Sequence, residues 1–525
     1  QVARSLGAPP GPPQEEGGGG RAGGTRRRPF PPGGRPAAMG CAALREVAAL
    51  AAPTMGMYLL LMGAETVSLV ALGRAPGTSE REIAGLGLGN LVLNCAALAV
   101  GFGFTGAQDT LVTQAFGRGD RELCRLYLHR CQLWMCGLFV VCSSVVACTE
   151  SLLLLLRATD ADTAHHAGVY TRLAVLGLLG TFQYSALRKF LLAQKDANAG
   201  LFVQCLSLPL HGLWCLLLVP KYRMTGVGVA MAFKGWTDLA LLAVYVSCLR
   251  PRPAYRGWWR LWLGLRGDRA SAGMCDYLRL ALPSVAVMAT EWWAWELLGL
   301  LAGYLHSPAK LAAHVTAANV MAVLYLAGTG AQKAASALVG AAAGRGEERG
   351  VRAFLLAALQ WNVLCCACMG SALLVARAQV AAAYAPSSPE VQHLLVSLVP
   401  LMALQGLLDG LNQCIQGALF GLGQQAKASR VSAFCYWIVM LPGSWALGLG
   451  LGLGVRGLWA GCNVASLAAV LLNSLLLRRV DFAAIVEAAR RRMELDRGGI
   501  HALGVGLTAS EGTAAAGPKP SPAEA

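Results

Sequence analysis

Charge is scarce in this chain. Of its 525 residues 14% are Asp, Glu, Lys or Arg, with 28 acids against 44 bases, while 55% are hydrophobic. A soluble protein of this length would need polar surface for three or four domains, and that class is excluded. Histidine is also short, at eight residues, and no paired His/Asp motif accompanies the few that lie in apolar stretches, which argues against an enzyme. No Gly-Lys-Ser/Thr closes a phosphate-binding loop, and Gly101-Phe102-Gly103 is too brief for a nucleotide fingerprint. The 17 cysteines are scattered through apolar runs, so a secreted disulfide framework is excluded. Cys365-Cys366-Ala367-Cys368 has no His or carboxylate nearby and reads as helix packing rather than a metal site. No cofactor or metal is expected.

What is abundant is apolar sequence. Runs of about 20 or more residues recur from Val47 to Leu477, each able to cross a hydrocarbon core of about 30 Å. About twelve can be counted, so the expected fold class is an all-α polytopic membrane protein in the lipid bilayer. The net charge of +16 does not signal nucleic acid, because the bases sit in tails and short loops between the runs. Arg21, Arg26, Arg27, Arg28 and Arg35 fill the first segment. Arg250, Arg252, Arg256, Arg260, Arg266 and Arg269 fill a central one, and Arg478, Arg479, Arg490, Arg491 and Arg492 a last one. The positive-inside rule places all three, and both termini, in the cytoplasm, so an even number of spans separates each pair, six plus six. The same rule assigns Arg118, Arg121, Arg125 and Arg130 to the loop after the second run. It assigns Arg188, Lys189 and Lys195 to the loop after the fourth, and Arg345, Arg349 and Arg352 to the loop after the eighth.

The expected organisation follows. Residues 1–38 form a disordered, basic, Gly/Pro-rich tail, 39–249 an N-terminal six-helix lobe, 250–275 a basic cytoplasmic linker and 276–478 a C-terminal six-helix lobe. Residues 479–525 form a cytoplasmic tail, flexible from residue 498. The first 38 residues hold no apolar stretch fit for a signal-peptide core, and the opening Gln1 leaves the start at either Met39 or a residue upstream.

The two halves repeat. At an offset of 344 − 117 = 227, Gly101 matches Gly328, Gly103 matches Gly330, Leu111-Val112 match Leu338-Val339 and Gly117-Arg118-Gly119 match Gly344-Arg345-Gly346. Arg125 matches Arg352 and Trp134 matches Trp361, which residue bias toward Gly and Ala does not produce. Six spans per half leave both halves in one orientation, a parallel repeat about an axis along the membrane normal.

Acids inside the apolar runs point to transport. A carboxylate at the centre of a lipid-embedded helix costs about 2.5 to 3.5 kcal/mol, so it is found where it faces a cavity and handles ions or protons. Glu291-Trp292-Trp293-Ala294-Trp295-Glu296 lies in such a run. Glu291 shares a helix face with Trp295 and Trp292 with Glu296, a carboxylate with an aromatic one turn away, which suits an organic cation. The two glutamates are about 140° apart and should not share one small cavity. Asp409 sits between the apolar stretches 396–408 and 415–422 and needs a partner or a proton. Glu65 and Asp109 are the first-half acids; Asp109 is nearer a membrane end, where capping or pairing with Arg118 would explain it. Pro53, Pro283 and Pro442 break the hydrogen-bond ladder of their runs, for packing or for a bend. Two neighbouring carboxylates in a dry cavity favour protonation, which supplies an exchange mechanism with H⁺, or Na⁺ in its place.

The stretch Pro283 to Gly303 resembles the eukaryotic branch of the multidrug and toxic-compound extrusion (MATE) family. Asp109-Thr110-Leu111-Val112-Thr113-Gln114-Ala115-Phe116-Gly117 is similar to that family's acidic-Thr-Leu-x-x-Gln-x-Tyr-Gly segment, with Phe116 for Tyr. Asp409 with Gly417, Gly421, Gly423 and Gln425 has the spacing of its tenth-span signature, and Gly457-Leu458-Trp459-Ala460-Gly461 resembles the start of its last span. The resemblance implies twelve helices in two pseudo-symmetric six-helix lobes, and export of organic cations or metabolites in exchange for H⁺ or Na⁺; a monomer is expected. The resemblance also carries the second-lobe acids onto Glu291, Glu296 and Asp409. Three positions depart from the pattern: Phe420 takes the usual Arg position, Ala317-Ala318-Asn319 lacks the acid of animal members, and Glu65-Thr66 resembles the Asp-Thr of prokaryotic ones. A lipid-linked oligosaccharide flippase of the same superfamily would favour a cationic central cavity, and an anionic substrate would need basic cavity residues that the sequence does not locate. A membrane receptor would not need a duplicated six-span body, and the few membrane-buried His without a paired His/Asp motif stand against a membrane enzyme. The plasma membrane is the expected location, with vacuole and plastid as alternatives.

Overall fold

A computed structural model describes residues 36–251, 255, 258, 268–386 and 388–504. Residues 1–35 of the expected tail, most of the linker 250–275 and residues 505–525 lie outside the described residues. Among the described residues there is no strand. Ten helical segments are long and apolar enough to cross a membrane. One of them, Asn198–Leu249, is two helices joined at Arg223, whose φ of 50° reverses the chain just after Pro220. A further helix, Ala161–Ala193, holds the fourth position, its apolar run interrupted by Arg172, Gln183, Arg188 and Lys189. Among the described residues the spans therefore number twelve.

In chain order they are α1 Pro36–Arg74, α2 Glu80–Gly117, α3 Arg121–Ala147, α4 Ala161–Ala193, α5 198–222 and α6 224–249. The second lobe has α7 Asp268–Gly303, α8 Pro308–Arg345, α9 Glu348–Val375, α10 Pro389–Gly421, α11 Gln425–Gly450 and α12 Gly454–Arg478. Local chemistry explains the helix starts. Ser79 and Glu82 form a capping box at α2, and Asp120, Asp160, Ser307 and Ser388 each accept a backbone N–H of the first turn of the helix that follows. Outward-facing side chains such as Val140, Val141, Leu216, Leu217 and Leu471 are apolar and exposed, as lipid contact requires.

The repeat is visible in the turns and in the seam. Left-handed residues recur after α1 and α7 (Gly77, His306), after α2 and α8 (Gly119, Gly346) and after α4 and α10 (Lys195, Gly423). Where α2 crosses α8, residues 227 apart meet each other: Ser336 donates to Asp109 at 2.6 Å, and Gly340 lies on Thr113. Gly117 lies on the Ala341 carbonyl and Gly344 on that of Gln114, so each contact is the image of the other about a two-fold axis. A Cβ at either glycine would strike backbone, hence the small residue in both. Helix α1 also packs against α8, and α7 against α2, so each lobe lends its first helix to the seam.

A thirteenth helix, α13, Phe482–Gly504, occupies part of the expected C-terminal tail and runs through residues 498–504, where flexibility was expected. It holds because one side is apolar. Phe482 and Ile485 pack on the second lobe, while Ala489 and Met493 are buried against the first. Asp496 accepts from Arg130 at 2.9 Å and from Tyr127 at 2.8 Å, so Arg130 is a buried partner inside α3 rather than a loop charge. Helix α7 likewise begins at Asp268, inside the stretch expected to be linker.

Candidate transport site

The second lobe gathers polar side chains from four helices. Pro283 lies two turns before Glu291 in α7, and Glu291 is 5% exposed. Its Oε1 accepts a long hydrogen bond, 3.5 Å, from Tyr325 of α8. One turn on, Thr329 donates to the Gln413 amide oxygen at 3.2 Å. Gln413 in turn donates to Asp409 Oδ2 at 2.8 Å, and Tyr436 of α11 reaches Oδ1 at 3.4 Å. Asp409 is 2% exposed. The two acids lie close enough for each charge to oppose the other, and every hydrogen-bond donor around them is neutral. The helices can approach this closely because Gly328 of α8 sits on the Gly410 backbone of α10, where an added Cβ would be 2.6 Å from the Gly410 Cα.

Glu291 also opens onto a cavity between the lobes. Asp109, Lys189, Lys333, Tyr325, Gln332 and Gln416 supply its other main polar groups, and Phe102, Val287, Met288 and Phe420 its apolar wall. Asp109 neither caps a helix nor pairs with Arg118. It binds Lys189 of α4 at 2.6 Å and accepts from Ser336, while Arg118 donates to the Gly344 carbonyl. Arg188 and Lys189 correct the loop assignment: both lie inside α4, buried. The Arg188 guanidinium is placed over the rings of Tyr58 and Tyr184, at 5.3 and 5.9 Å.

Glu296 points elsewhere, as the helical angle predicts. It is exposed and interacts electrostatically with Glu65 of α1, across the lobes. Glu65 is half-buried and accepts from Asn94 at 3.4 Å. The tryptophans do not join the cavity. Trp295 packs against Trp459 of α12, ring centres 6.0 Å apart, and Trp292 is half-buried and also outside the cavity lining. The aromatic beside Glu291 is Tyr325, a residue the sequence reading passed over; its position one turn before Thr329 in an apolar run was the available signal.

The first lobe has its own polar interior, also missed. Lys234 and Asp238 of α6 pair at 2.7 Å, Lys234 reaches Gln204 of α5, and Gln204 donates to Tyr184. His211 and Ser68 hydrogen-bond at 3.0 Å nearby. The spacing of four between a base and an acid inside an apolar run was the sequence signal.

Twelve spans in two matching lobes around a buried polar cavity define a membrane transporter, with binding groups at the repeat interface. The chain belongs to the MatE family, whose profile matches twice, over residues 53–217 and 283–446, once in each lobe. It is 27% identical over 425 residues to multidrug and toxin extrusion protein 1 of Homo sapiens, covering 81% of this chain and 72% of that protein. It is 26% identical over 452 residues to protein DETOXIFICATION 36 of Arabidopsis thaliana, covering 85% and 87%. The fold resembles the crystal structure of the eukaryotic MATE transporter AtDTX14, with a TM-score of 0.78 and 22% identity over 86% of this chain and 99% of that one.

Proposed function

We propose that this transporter is a secondary antiporter that exports organic cations, drugs or metabolites, in exchange for H⁺ by alternating access, with Na⁺ as the second candidate for the coupling ion. The observation that carries this reading is the pair Glu291 and Asp409, buried together with only neutral donors around them. A carboxylate without a basic partner in a dry lobe can hold its charge with a cation or lose it to a proton. The two states therefore differ in affinity for cationic substrate, as coupled exchange requires. Protons arriving from outside neutralise the acids and expel the substrate; their release to the cytoplasm restores the charge that draws the next one in. The seam at which Ser336 donates to Asp109, and Thr110 and Gln114 donate to the Phe420 and Gly421 carbonyls, is the contact that must part when the cavity opens to the cytoplasm.

We place the protein as a monomer in the plasma membrane, both termini cytoplasmic. A second reading, the lipid-linked oligosaccharide flippase, gains support from the buried bases Lys189 and Lys333 at the cavity. It stays second because Asp109 already neutralises Lys189.

Proteoliposomes carrying the full chain test the proposal. An imposed pH gradient should drive uptake of a fluorescent organic cation, and Glu291→Gln and Asp409→Asn should each reduce it by at least about 100-fold, roughly the 2.7 kcal/mol of one charged interaction. Undiminished exchange in both variants would overturn the mechanism. A Na⁺ gradient that works where a pH gradient does not would reassign the coupling ion.

A further inference from the structure

The cavity contains a charge, outside the Lys189–Asp109 pair, that the exchange mechanism leaves unused. Lys333 of α8 lines it and is 9% exposed. Among the described residues no carboxylate lies within ion-pair distance of its Nζ, although the other bases of this interior are occupied: Lys189 by Asp109, Lys234 by Asp238, and Arg188 by the rings of Tyr58 and Tyr184. A buried ammonium without a counter-charge is costly, and it persists where a ligand or solvent completes it. Its charge is felt by Glu291, which lines the same cavity from α7. The cavity thus presents an ammonium without an ion pair and a carboxylate held by a single tyrosine hydroxyl, on different helices and separated by more than an ion-pair distance.

We propose that Lys333 is an anion-holding subsite, and that the transported molecule is a zwitterion whose anionic group, a carboxylate or its equivalent, meets Lys333 while its cationic group meets Glu291. The inference rests on the export reading for the role of Glu291 and narrows its substrate class from organic cations in general to those that also carry an anionic group. A simple monocation in this cavity would leave the ammonium unanswered and be repelled by it. A zwitterion answers both charges and passes through the membrane interior with its net charge compensated at each end. Gln332 and Gln416, hydrogen-bonded to each other at 3.4 Å, stand beside Lys333 as neutral donors able to turn toward the same anionic group.

A matched dye pair tests this. A rhodamine with a free carboxylate is zwitterionic, and its methyl ester is a monocation of nearly the same shape. Equilibrium binding of each to the purified full-length protein, read by fluorescence anisotropy, should favour the acid over the ester. Lys333→Met should weaken the acid about tenfold, the loss of one charge-assisted hydrogen bond, and leave or improve the ester. Lys333→Arg should keep the preference for the acid, and undiminished ester binding by Lys333→Met shows that the variant is folded. Equal affinity of the wild-type protein for both dyes, a preference for the ester, or equal weakening of both by Lys333→Met overturns the proposal. Gradient-driven uptake is measured in parallel. Loss of coupled uptake with the binding preference intact would defeat the antiport reading alone, whereas coupled uptake of the ester without a preference for the acid would defeat the subsite alone.

Discussion

The two lobes share a fold and treat buried charge in opposite ways. Deep in the spans of the first lobe, the buried acids Asp109 and Asp238 are held by Lys189 and Lys234, at 2.6 and 2.7 Å. In the second, Glu291 and Asp409 meet tyrosine hydroxyls and a glutamine amide. A paired charge is fixed in place, and changing its protonation would expose a second buried charge. An acid among neutral donors has no such penalty, so its charge can follow the occupancy of the site. Duplication thus supplied two equivalent scaffolds, one with acids paired to lysines and the other with two acids among neutral donors. The lysine is the difference, and its addition or removal is the way to test it.

The largest effect is expected from breaking a first-lobe pair. Lys234→Met leaves Asp238 buried without its partner and should destabilise the lobe by about 3 to 5 kcal/mol, seen as a lower thermal unfolding midpoint in detergent. Lys234→Met combined with Asp238→Leu removes both charges and should recover most of that loss. A double variant no more stable than the single one would mean that the pair is not what orders this interior. The reciprocal change comes next. Gln413→Lys places an ammonium four residues from Asp409, imitating the Lys234–Asp238 spacing, and should fold normally while losing about 100-fold in gradient-driven exchange, because the acid is then held charged. Exchange at the wild-type rate in a folded Gln413→Lys protein would remove Asp409 from the coupling site.

Most of the fold was legible in the sequence, because the length of an apolar run and the recurrence of Gly117-Arg118-Gly119 at Gly344-Arg345-Gly346 are statements about membrane thickness and backbone approach. The second-lobe acids were legible for a similar reason: an acid in an apolar run is conspicuous. Bases misled. The positive-inside rule treats any Lys or Arg near the end of a run as an orientation signal, and Arg188 and Lys189 lie within six residues of the end of α4. That helix has 33 residues, about 50 Å at 1.5 Å per residue, so it extends well past a 30 Å core. Its final turns still face the seam, and only the placement of Asp109 across from Lys189 reveals it. Lys333 hid among Gly and Ala in the stretch 328–344, where a lone base in a run of small residues deserved the weight given to a lone acid. The tryptophans erred the other way, conspicuous beside Glu291 yet committed to packing, as the Trp295 contact with Trp459 shows.

The smallest effect separates Glu291 from Glu296. Glu296 is exposed and faces Glu65 across the lobes, without the enclosure that surrounds Glu291. A more exposed charge acts on a cation at a distance and is screened by salt, whereas a buried one acts on contact and is screened less. Glu296→Gln should therefore slow the initial rate of cation uptake by no more than about twofold at low ionic strength, with the difference vanishing as salt shortens the Debye length to about 8 Å or less. The effect of Glu291→Gln should depend much less on salt over the same range, because a buried charge is screened less. A loss of more than tenfold for Glu296→Gln that persists at high salt would place both glutamates on the coupling path and erase the distinction between an outer acid that attracts and an inner acid that exchanges.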